Sequence, residues 1–210
     1  MSAQIEILFV LATYLTGSIP VGYLLVRYVT GQNIRELGSG NIGSTNVRRI
    51  AGRKIAAITQ LLDMAKGLVP VGLYLYLTYD LKVTYCQNIV SDLSIYYVAL
   101  ASILGHDFSV FLKFKGGKGV NTTLGASVLL APYSVFISVA FYFITKWRFK
   151  YVSLASIVLA ITMVVSELVI YGITPTVYYL LVCMILIIVL HHKNIGRLLR
   201  NQELPFQRLP

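Results

Sequence analysis

Residues 152–171 read VSLASIVLAITMVVSELVIY. Glu167 is the one charged side chain in this stretch, and about twenty helical residues are long enough to cross the roughly 30 Å hydrocarbon core of a bilayer. The stretch therefore predicts a transmembrane helix. Similar apolar runs recur along the chain, at about 5–26, 55–79, 94–112, 120–145 and 174–190. The sequence thus predicts an all-α, polytopic integral membrane protein.

The composition excludes an ordinary soluble domain. Of the 210 residues, 57% are hydrophobic and only 12% are charged, whereas about a quarter of a soluble chain is charged. The net charge of +10 arises from 18 Lys and Arg against 8 Asp and Glu. Because these bases cluster beside apolar runs, the positive-inside rule accounts for most of them, and no nucleic acid partner is expected.

The distribution of the bases first defines the sides of the membrane. The segment from Arg27 to Lys54 is rich in arginine, so it is expected to be cytoplasmic. The loop 80–93 holds Lys82 against Asp80 and Asp92, which fits the outside. The three lysines between residues 113 and 118 bring the chain back to the cytoplasm.

The run 120–145 then decides the number of crossings. One crossing here would place the basic residues 146–150 and the basic tail outside, which is unfavourable. A turn at Ala131-Pro132 removes the conflict, since proline cannot continue the helical hydrogen-bond ladder. We therefore predict seven transmembrane helices, two of them short, with the N-terminus outside and the C-terminus cytoplasmic, in a single domain over residues 1–210. A re-entrant hairpin would give the same charge balance.

Three segments at the ends of apolar runs combine small residues with strong bases. They are GSGNIGSTNVRR (38–49), FKGGKG (114–119) and HHKNIGR (191–197). Small residues let backbone N–H groups approach a ligand, and Arg, Lys and His supply positive charge, which together favour phosphate binding. Under the predicted topology all three segments lie on the cytoplasmic side.

The first segment is expected to be a loop pressed against the membrane, because three glycines fall between residues 38 and 43. An ordinary flexible cytoplasmic loop is the alternative. The groups that it offers to an anion are hydroxyls, amides, backbone N–H groups and one guanidinium: Ser39, Gly40, Asn41, Thr45, Asn46 and Arg49.

The second segment follows His106 and precedes an apolar helix that begins soon after Gly119. A helix N-terminus with adjacent lysines, here Lys115 and Lys118, can hold an anion. It differs from a P-loop in its glycine spacing and in the absence of Ser or Thr after Lys118. A positive-inside anchor with a glycine turn is the alternative.

The third segment ends the last apolar run. His191, Asn194 and Arg197 are spaced by three and share one helix face, where they could bind a ligand oxygen. A histidine at a helix end can instead serve only as a partner of the helix dipole. Within the second apolar run, Asp63 and Lys66 are spaced to form an ion pair. Gly17 to Pro20 in the first run predict a kink or a close helix approach.

Motifs of several other enzyme classes are absent. No histidine is followed five residues later by aspartate, and there is no Gly-x-Ser-x-Gly elbow. No carboxylate cluster could chelate two magnesium ions, and Cys86 and Cys183 do not have the spacing of metal ligands. The sequence therefore predicts no metal site.

Together the three segments resemble the bacterial acyl-phosphate:glycerol-3-phosphate acyltransferase family over essentially the whole chain. The first matches Gly-Ser-Gly-Asn-x-Gly-Ala-Thr-Asn-x-x-Arg, with Ser44 in place of the usual Ala. The second matches Gly-His-x-Phe/Tyr followed by Phe-Lys-Gly-Gly-Lys-Gly-Val, with Asn121 where a small Ala is common. The third matches His-x-x-Asn-Ile-x-Arg-Leu. The stretch Tyr151-Val-Ser-Leu-Ala-Ser156 is also similar to the family.

The resemblance implies transfer of a fatty acyl group from acyl phosphate to the 1-hydroxyl of sn-glycerol 3-phosphate. The implied products are 1-acyl-glycerol 3-phosphate (lysophosphatidate) and inorganic phosphate, in phospholipid biosynthesis. It also implies no cofactor, a soluble phosphate acyltransferase as metabolic partner, contact with membrane lipid, and a place in the bacterial plasma (inner) membrane with the active site facing the cytoplasm.

This substrate class gives the candidate residues their expected roles. Two phosphate groups must be held close together, and Arg49, Lys118 and His191 could neutralise them, helped by Ser39, Asn194 and Ser156. His106 and His191 are candidates for accepting the hydroxyl proton. Acyl phosphate is already activated, however, so we favour a substrate-assisted route in which a substrate phosphate takes the proton and His191 mainly binds.

An organic-phosphate transporter would also need anion-binding groups within the membrane. Transporters often carry internal repeats, and none is visible here. A purely structural membrane protein would leave the three segments unexplained. Turnover without a compartment gradient distinguishes the enzyme from the transporter.

Overall fold

The computed structural model describes residues 3–78 and 93–206. These residues form nine α-helices and two 3₁₀ turns, with no β-strand among them. The helices are α1 (Ala3–Ser18), α2 (Val21–Thr30), α3 (Ser44–Thr78), α4 (Leu93–Asp107), α5 (Val120–Ser127), α6 (Pro132–Phe149), α7 (Val152–Tyr171), α8 (Pro175–Leu190) and α9 (His192–Leu199). The predicted all-α class is confirmed. The loop that was predicted to lie outside the membrane, with Asp80, Lys82, Cys86 and Asp92, falls outside the described residues.

The chain divides into two compact units, Met1–Leu129 and Leu130–Pro210. The first contains α1 to α5 and the second contains α6 to α9. That residues 1–210 act as a single domain stays a prediction.

Four stretches of the described residues are helical, long and apolar enough to cross a membrane, and a bent pair of helices could provide a fifth crossing. The four are Ala3–Thr30, Ser44–Thr78, Ser94–Leu112 and Val152–Tyr171, and the pair is Pro175–Leu190 with His192–Leu199, bent by 58°. The protein is therefore a multi-pass membrane protein, whereas the count of seven crossings and the orientation of the termini stay predictions.

The first apolar run is interrupted where the sequence predicted it. Helix α1 ends at Ser18 and α2 begins at Val21, so Ile19 and Pro20 form the break. A Cβ atom added to Gly17 would lie 2.5 Å from the carbonyl oxygen of Ser102. The glycine thus allows the backbones of α1 and α4 to pack in close contact.

Helix α3 begins at Ser44, about eleven residues before the predicted apolar run. The expectation of a loop through residue 49 was therefore wrong for Ser44 to Arg49. The added turns bury Val47 in a cluster with Val26, Ile34 and Ile42, and such tertiary burial stabilises a helix that local propensity does not favour. The helix is interrupted at Gly52, whose φ of 82° is left-handed.

The predicted turn at Ala131-Pro132 is present, because α6 begins with Pro132 at its first turn. Helix α5, however, has only 8 residues, so it is about 12 Å long and cannot by itself cross the hydrocarbon core. The predicted helix from Gly119 to Ala131 was too long. The length of α5 favours the re-entrant alternative for this element.

In the second unit, a buried polar contact joins α6 to α7. Ser134 donates a hydrogen bond to Glu167 Oε2 at 2.5 Å, and both side chains are buried. The sequence left Glu167 without a partner. Because a buried carboxyl group without hydrogen bonds is costly, Ser134 explains how α7 tolerates this residue.

Candidate functional site

The first segment is organised around the side chain of Asn46, which is 2% exposed. Its amide nitrogen donates to the carbonyl oxygens of Leu37 at 3.0 Å and Asn41 at 2.9 Å, and lies 3.4 Å from that of Ile34. Its amide oxygen accepts from the backbone N–H of Ser39 at 3.0 Å. Asn46 was predicted to bind substrate, but its hydrogen-bonding groups are engaged inside the loop, so its contribution is to shape the segment.

The glycines of this segment fit closely around that amide. Gly38 has a left-handed φ of 58°, and a Cβ atom there would overlap Asn46 Oδ1. Gly40 is also left-handed, with a φ of 70°. The side-chain oxygen of Asn41 accepts from the backbone N–H of Gly43 at 2.7 Å, which fixes the turn just before α3.

Beyond this turn, the side chains of Thr45 and Arg49 lie in the first turns of α3 and are half-buried, as is Ser39 in the loop. These residues remain candidates for contact with a ligand. Their position near the N-terminus of α3 places a hydroxyl and a guanidinium beside the positive end of a helix dipole.

The second segment is folded onto the end of α4. The backbone N–H of Gly116 donates to Asp107 O at 3.0 Å, and that of Gly117 donates to His106 O at 2.9 Å. A Cβ atom on Gly117 would overlap His106 Nε2, and one on Gly119 would lie 2.9 Å from both Asp107 carboxylate oxygens. The glycines are therefore required because the loop lies directly on two buried side chains.

The buried side chain of His106 packs against this loop at Gly117. Its ring is 5% exposed, and Nδ1 lies 3.6 Å from Asp63 Oδ1, an electrostatic contact longer than a hydrogen bond. Because Nε2 lies against Gly117, both ring nitrogens face the protein. His106 was a candidate for substrate binding and for proton acceptance, and both roles stay predictions.

The predicted ion pair in α3 is present and contacts the same histidine. Lys66 Nζ donates to Asp63 Oδ1 at 2.8 Å, with the two side chains 7% and 2% exposed. Asp63 thus lies between two basic side chains, Lys66 and His106. A buried carboxylate needs such partners.

The two lysines of the second segment lie in different environments. Lys115 is exposed, whereas Lys118 is half-buried and directly precedes Gly119, the residue that caps α5. The loop between them and α4 is tight, because Lys113 and Phe114 both have left-handed φ values, 54° and 58°. Such conformations are unfavourable for residues other than glycine and occur often at ligand sites.

A side-chain hydrogen bond joins the first segment to α5, the helix that begins directly after the second segment. Asn121 Nδ2 donates to Ser44 Oγ at 3.2 Å, and Ser44 and Asn121 lie at the N-terminal ends of α3 and α5. Within the first unit, this contact between residues 77 apart in the sequence places the first segment beside α5. The third segment belongs to the second unit.

The third segment begins at the bend between α8 and α9, where His191 is 4% exposed. His191 Nδ1 lies 2.7 Å from the carbonyl oxygen of Ile187. Because a carbonyl oxygen can only accept, Nδ1 carries the proton in this contact, and Nε2 of the neutral ring is then an acceptor. His192 is exposed, with Nδ1 2.8 Å from Val189 O.

Two further polar side chains of the segment, Asn194 and Arg197, donate hydrogen bonds to Glu203. Glu203 was not among the residues predicted from the sequence. Asn194 Nδ2 donates to Glu203 Oε1 at 2.7 Å, and Arg197 Nε donates to Oε2 at 2.7 Å. Ser153 of α7 donates to Oε1 at 3.0 Å. Glu203 is the only acidic residue after Glu167 in a tail with several bases, which is the signal that could have identified it.

Burial raises the pKa of Glu203, but hydrogen bonds from Arg197, Asn194 and Ser153 outweigh it and hold the pKa below its usual value of 4.5. The carboxylate is therefore charged at neutral pH. The guanidinium of Arg197 and the amide nitrogen of Asn194 bind this carboxylate.

Ser156, predicted to assist phosphate binding, lies about one turn into α7 and is 4% exposed. Its hydroxyl donates to Val152 O at 2.9 Å. The role of Ser156 in phosphate binding stays a prediction. Within residues 3–78 and 93–206, no group of three His, Cys, Asp or Glu side chains could hold a metal ion.

A family model described as glycerol-3-phosphate acyltransferase matches residues 7–201. The chain belongs to this family. It is 42% identical over 200 residues to the glycerol-3-phosphate acyltransferase of Clostridium acetobutylicum, covering 95% of this chain and 98% of the relative. It is 40% identical over 200 residues to that of Syntrophotalea carbinolica, covering 95% of this chain and 97% of the relative. The protein is an acyltransferase.

Two solved structures of PlsY, an integral membrane glycerol 3-phosphate acyltransferase, share this fold. The glycerol 3-phosphate form has a TM-score of 0.87 and 33% identity, covering 96% of each chain. The lysophosphatidic acid form has a TM-score of 0.83 and 31% identity, covering 96% of this chain and 95% of the other. The family resemblance seen in the sequence and the membrane class are thereby confirmed.

Proposed function

We propose that this protein transfers a fatty acyl group from acyl phosphate to the 1-hydroxyl of sn-glycerol 3-phosphate. The products are 1-acyl-glycerol 3-phosphate and inorganic phosphate, and the reaction serves phospholipid biosynthesis. The observation that carries the proposal is the hydrogen bond from Asn121 to Ser44. This bond places the first segment beside α5, the helix that directly follows the second segment. Both segments have the residues expected of a phosphate site, and the chain belongs to the glycerol-3-phosphate acyltransferase family.

In this reaction the 1-hydroxyl oxygen forms a bond to the acyl carbonyl carbon, and the bond from that carbon to the phosphate oxygen breaks. The hydroxyl proton passes to a substrate phosphate. Phosphate is a good leaving group, so the main tasks of the protein are to hold two anions together, orient the hydroxyl and stabilise the developing oxyanion.

The first unit supplies positive charge for the phosphate groups. Arg49 lies near the N-terminus of α3 and Lys118 directly before α5, and both helix N-termini add partial positive charge. Backbone N–H groups of the glycine-rich segments, with Ser39 and Thr45 beside them, are the candidates for hydrogen bonds to the substrates.

The family resemblance makes His191 a candidate for substrate binding. Its Nδ1 lies 2.7 Å from Ile187 O. Asn194 is shared with Glu203, so we assign it mainly to holding the segment. A substrate phosphate, rather than His191, takes the proton.

We place the enzyme in the bacterial plasma membrane with the N-terminus outside and the three segments at the cytoplasmic face. The support is the distribution of bases in the sequence. Acyl phosphate is then supplied by a soluble phosphate acyltransferase in the cytoplasm, and the acylated product enters the bilayer.

The test is phosphate release by the detergent-purified protein given palmitoyl phosphate and glycerol 3-phosphate in the presence of EDTA. We expect release that requires both substrates and yields lysophosphatidate. Palmitoyl-CoA in place of palmitoyl phosphate is the matched control and should give no product. Activity that requires a divalent cation would contradict the prediction, made from the sequence, that the protein has no metal site.

Absence of release by protein that elutes as a single folded species, together with uptake of glycerol 3-phosphate into liposomes containing it, would overturn the acyl-transfer proposal.

A further inference from the structure

Ser44 lies in the first segment, and Asn121 lies two residues after the end of the second segment. In the structure these two side chains contact each other, with Asn121 Nδ2 donating to Ser44 Oγ at 3.2 Å. Both residues are half-buried. This hydrogen bond links the beginning of α3 to α5.

The bond acts across the interruption in α3. A Cβ atom at Gly52 would have no atom within 4 Å, and the residue has a left-handed φ. Local packing at Gly52 therefore does little to fix the angle between the two parts of α3, Ser44 to Ala51 and Arg53 to Thr78. Contacts made elsewhere by the first part must define its position.

The second part of α3 is packed directly against α5. A Cβ atom at Gly67 would overlap Thr122 O, and one at Gly125 would overlap Met64 O. Such backbone contact leaves little freedom for α5 to slide along this part of α3. Helix α5, and Lys118 just before it, are thus fixed to the second part.

The first part of α3, which carries Arg49, is held by an apolar contact and by a polar contact. The apolar contact is made by Val47 in the cluster with Val26, Ile34 and Ile42. The polar contact is made by Ser44 to Asn121. Apolar contacts are not directional, whereas the hydrogen bond specifies distance and angle.

We propose that Asn121 and Ser44 are positioning residues, whose hydrogen bond sets the place of the Arg49-bearing part of α3 relative to the Lys118-bearing start of α5. This inference rests on the proposed function, in which these two bases hold the phosphate groups of the substrates. Loss of the bond weakens binding of the phosphate substrates without unfolding the protein.

The test is a double-mutant cycle of Ser44→Ala, Asn121→Ala and the double variant, with steady-state kinetics on palmitoyl phosphate and glycerol 3-phosphate. Each single variant should raise the KM for glycerol 3-phosphate by about threefold to tenfold, the range of one neutral hydrogen bond, with little change in kcat. The double variant should be no worse than either single one, because both changes remove the same bond.

Ser44→Thr keeps the hydroxyl and should restore most of the lost affinity. Gln32→Ala, which changes an exposed side chain outside these segments, is the control and should leave both constants unchanged. The thermal midpoint of each variant is measured in parallel, since a purely structural bond would lower the midpoint without changing KM.

Additive effects of the two substitutions, or unchanged KM in both single variants, would overturn the inference while the wild-type turnover still supports the proposed function. If the wild type shows no turnover, the proposed function itself fails. A rise in KM for palmitoyl phosphate alone would mean that the hydrogen bond positions the base that binds the acyl-donor phosphate. That result would contradict the expected effect on the KM for glycerol 3-phosphate.

Discussion

Arg197 donates from Nε to Glu203 Oε2 at 2.7 Å, so the C-terminal tail is bound to the helix that carries the third segment. Glu203 also accepts from Asn194 and Ser153, and its side chain is 5% exposed. One carboxylate thus joins the tail, α9 and the beginning of α7.

Replacement of Glu203 by Gln should therefore destabilise the protein. The amide has the size of the carboxylate but no charge. Its NH₂ group would face the hydrogen-bond donors of Ser153, Asn194 or Arg197, to which it cannot offer an acceptor. The loss of charge-assisted hydrogen bonds costs about 2–3 kcal/mol, or roughly 4–12 °C in the thermal midpoint. The measurement is thermal unfolding in detergent at a fixed scan rate.

Glu36→Gln is the matched control, since Glu36 is exposed and accepts one hydrogen bond from Asn33. Its midpoint should stay within about 1 °C of the wild type. Equal shifts in the two variants would contradict the role of Glu203.

The same carboxylate predicts a pH dependence of stability. The pKa of Glu203 in the folded protein is lower than its usual 4.5, because the hydrogen bonds outweigh the effect of burial. A lowered folded-state pKa gives stability that is present above the unfolded value and lost as the pH falls through the folded value. The wild-type midpoint should thus fall on acidification below about pH 4.5, and the Glu203→Gln variant should show a weaker dependence there. Parallel curves for the two proteins would refute this.

Features fixed by neighbouring residues could be predicted from the sequence. Pro132 ends one helical run and begins the next because proline cannot donate the required hydrogen bond. The pair of Asp63 and Lys66 follows from helical spacing alone. Break positions and local ion pairs need no knowledge of the tertiary fold.

Features that depend on distant residues could not be predicted. The bonds of Glu203 to Ser153 and of Asn121 to Ser44 join positions 50 and 77 residues apart. The helical state of Ser44 to Arg49 depends on the burial of Val47 in a cluster drawn from other elements. The sequence neighbours of His106 do not reveal that Gly117 lies on its ring.

Gly116 is expected to tolerate no side chain. A Cβ atom there would overlap His106 O and lie 2.8 Å from Asp107 O, and both are backbone atoms that cannot rotate away. Gly116→Ala should displace the second segment and lower kcat/KM by about a hundredfold, a misplacement effect. Gly72→Ala is the control, because a Cβ atom there would make only an ordinary contact, 3.5 Å from the Leu129 side chain, and it should leave activity unchanged. Similar kinetics for both variants would contradict this fit.

His191→Ala distinguishes binding from proton acceptance. If a substrate phosphate takes the proton, the variant should raise the KM for glycerol 3-phosphate by about tenfold or more while kcat at saturation falls by less than about tenfold. Steady-state kinetics over a wide range of glycerol 3-phosphate provides the measurement. Nearly complete loss of turnover at saturating substrate would instead identify His191 as the base.

The buried charges beneath the second segment allow a last prediction. Asp63→Asn leaves Lys66 without its 2.8 Å ion pair in a setting where both side chains are less than a tenth exposed. An uncompensated buried charge costs about 3–5 kcal/mol, whereas replacing both partners by apolar residues of similar size is often close to neutral. Asp63→Asn should therefore lower the thermal midpoint more than the double variant Asp63→Leu/Lys66→Met does. Because the double variant also removes the carboxylate beside His106, it should regain stability without regaining full activity. A double variant less stable than Asp63→Asn would show that the pair contributes net stability to α3.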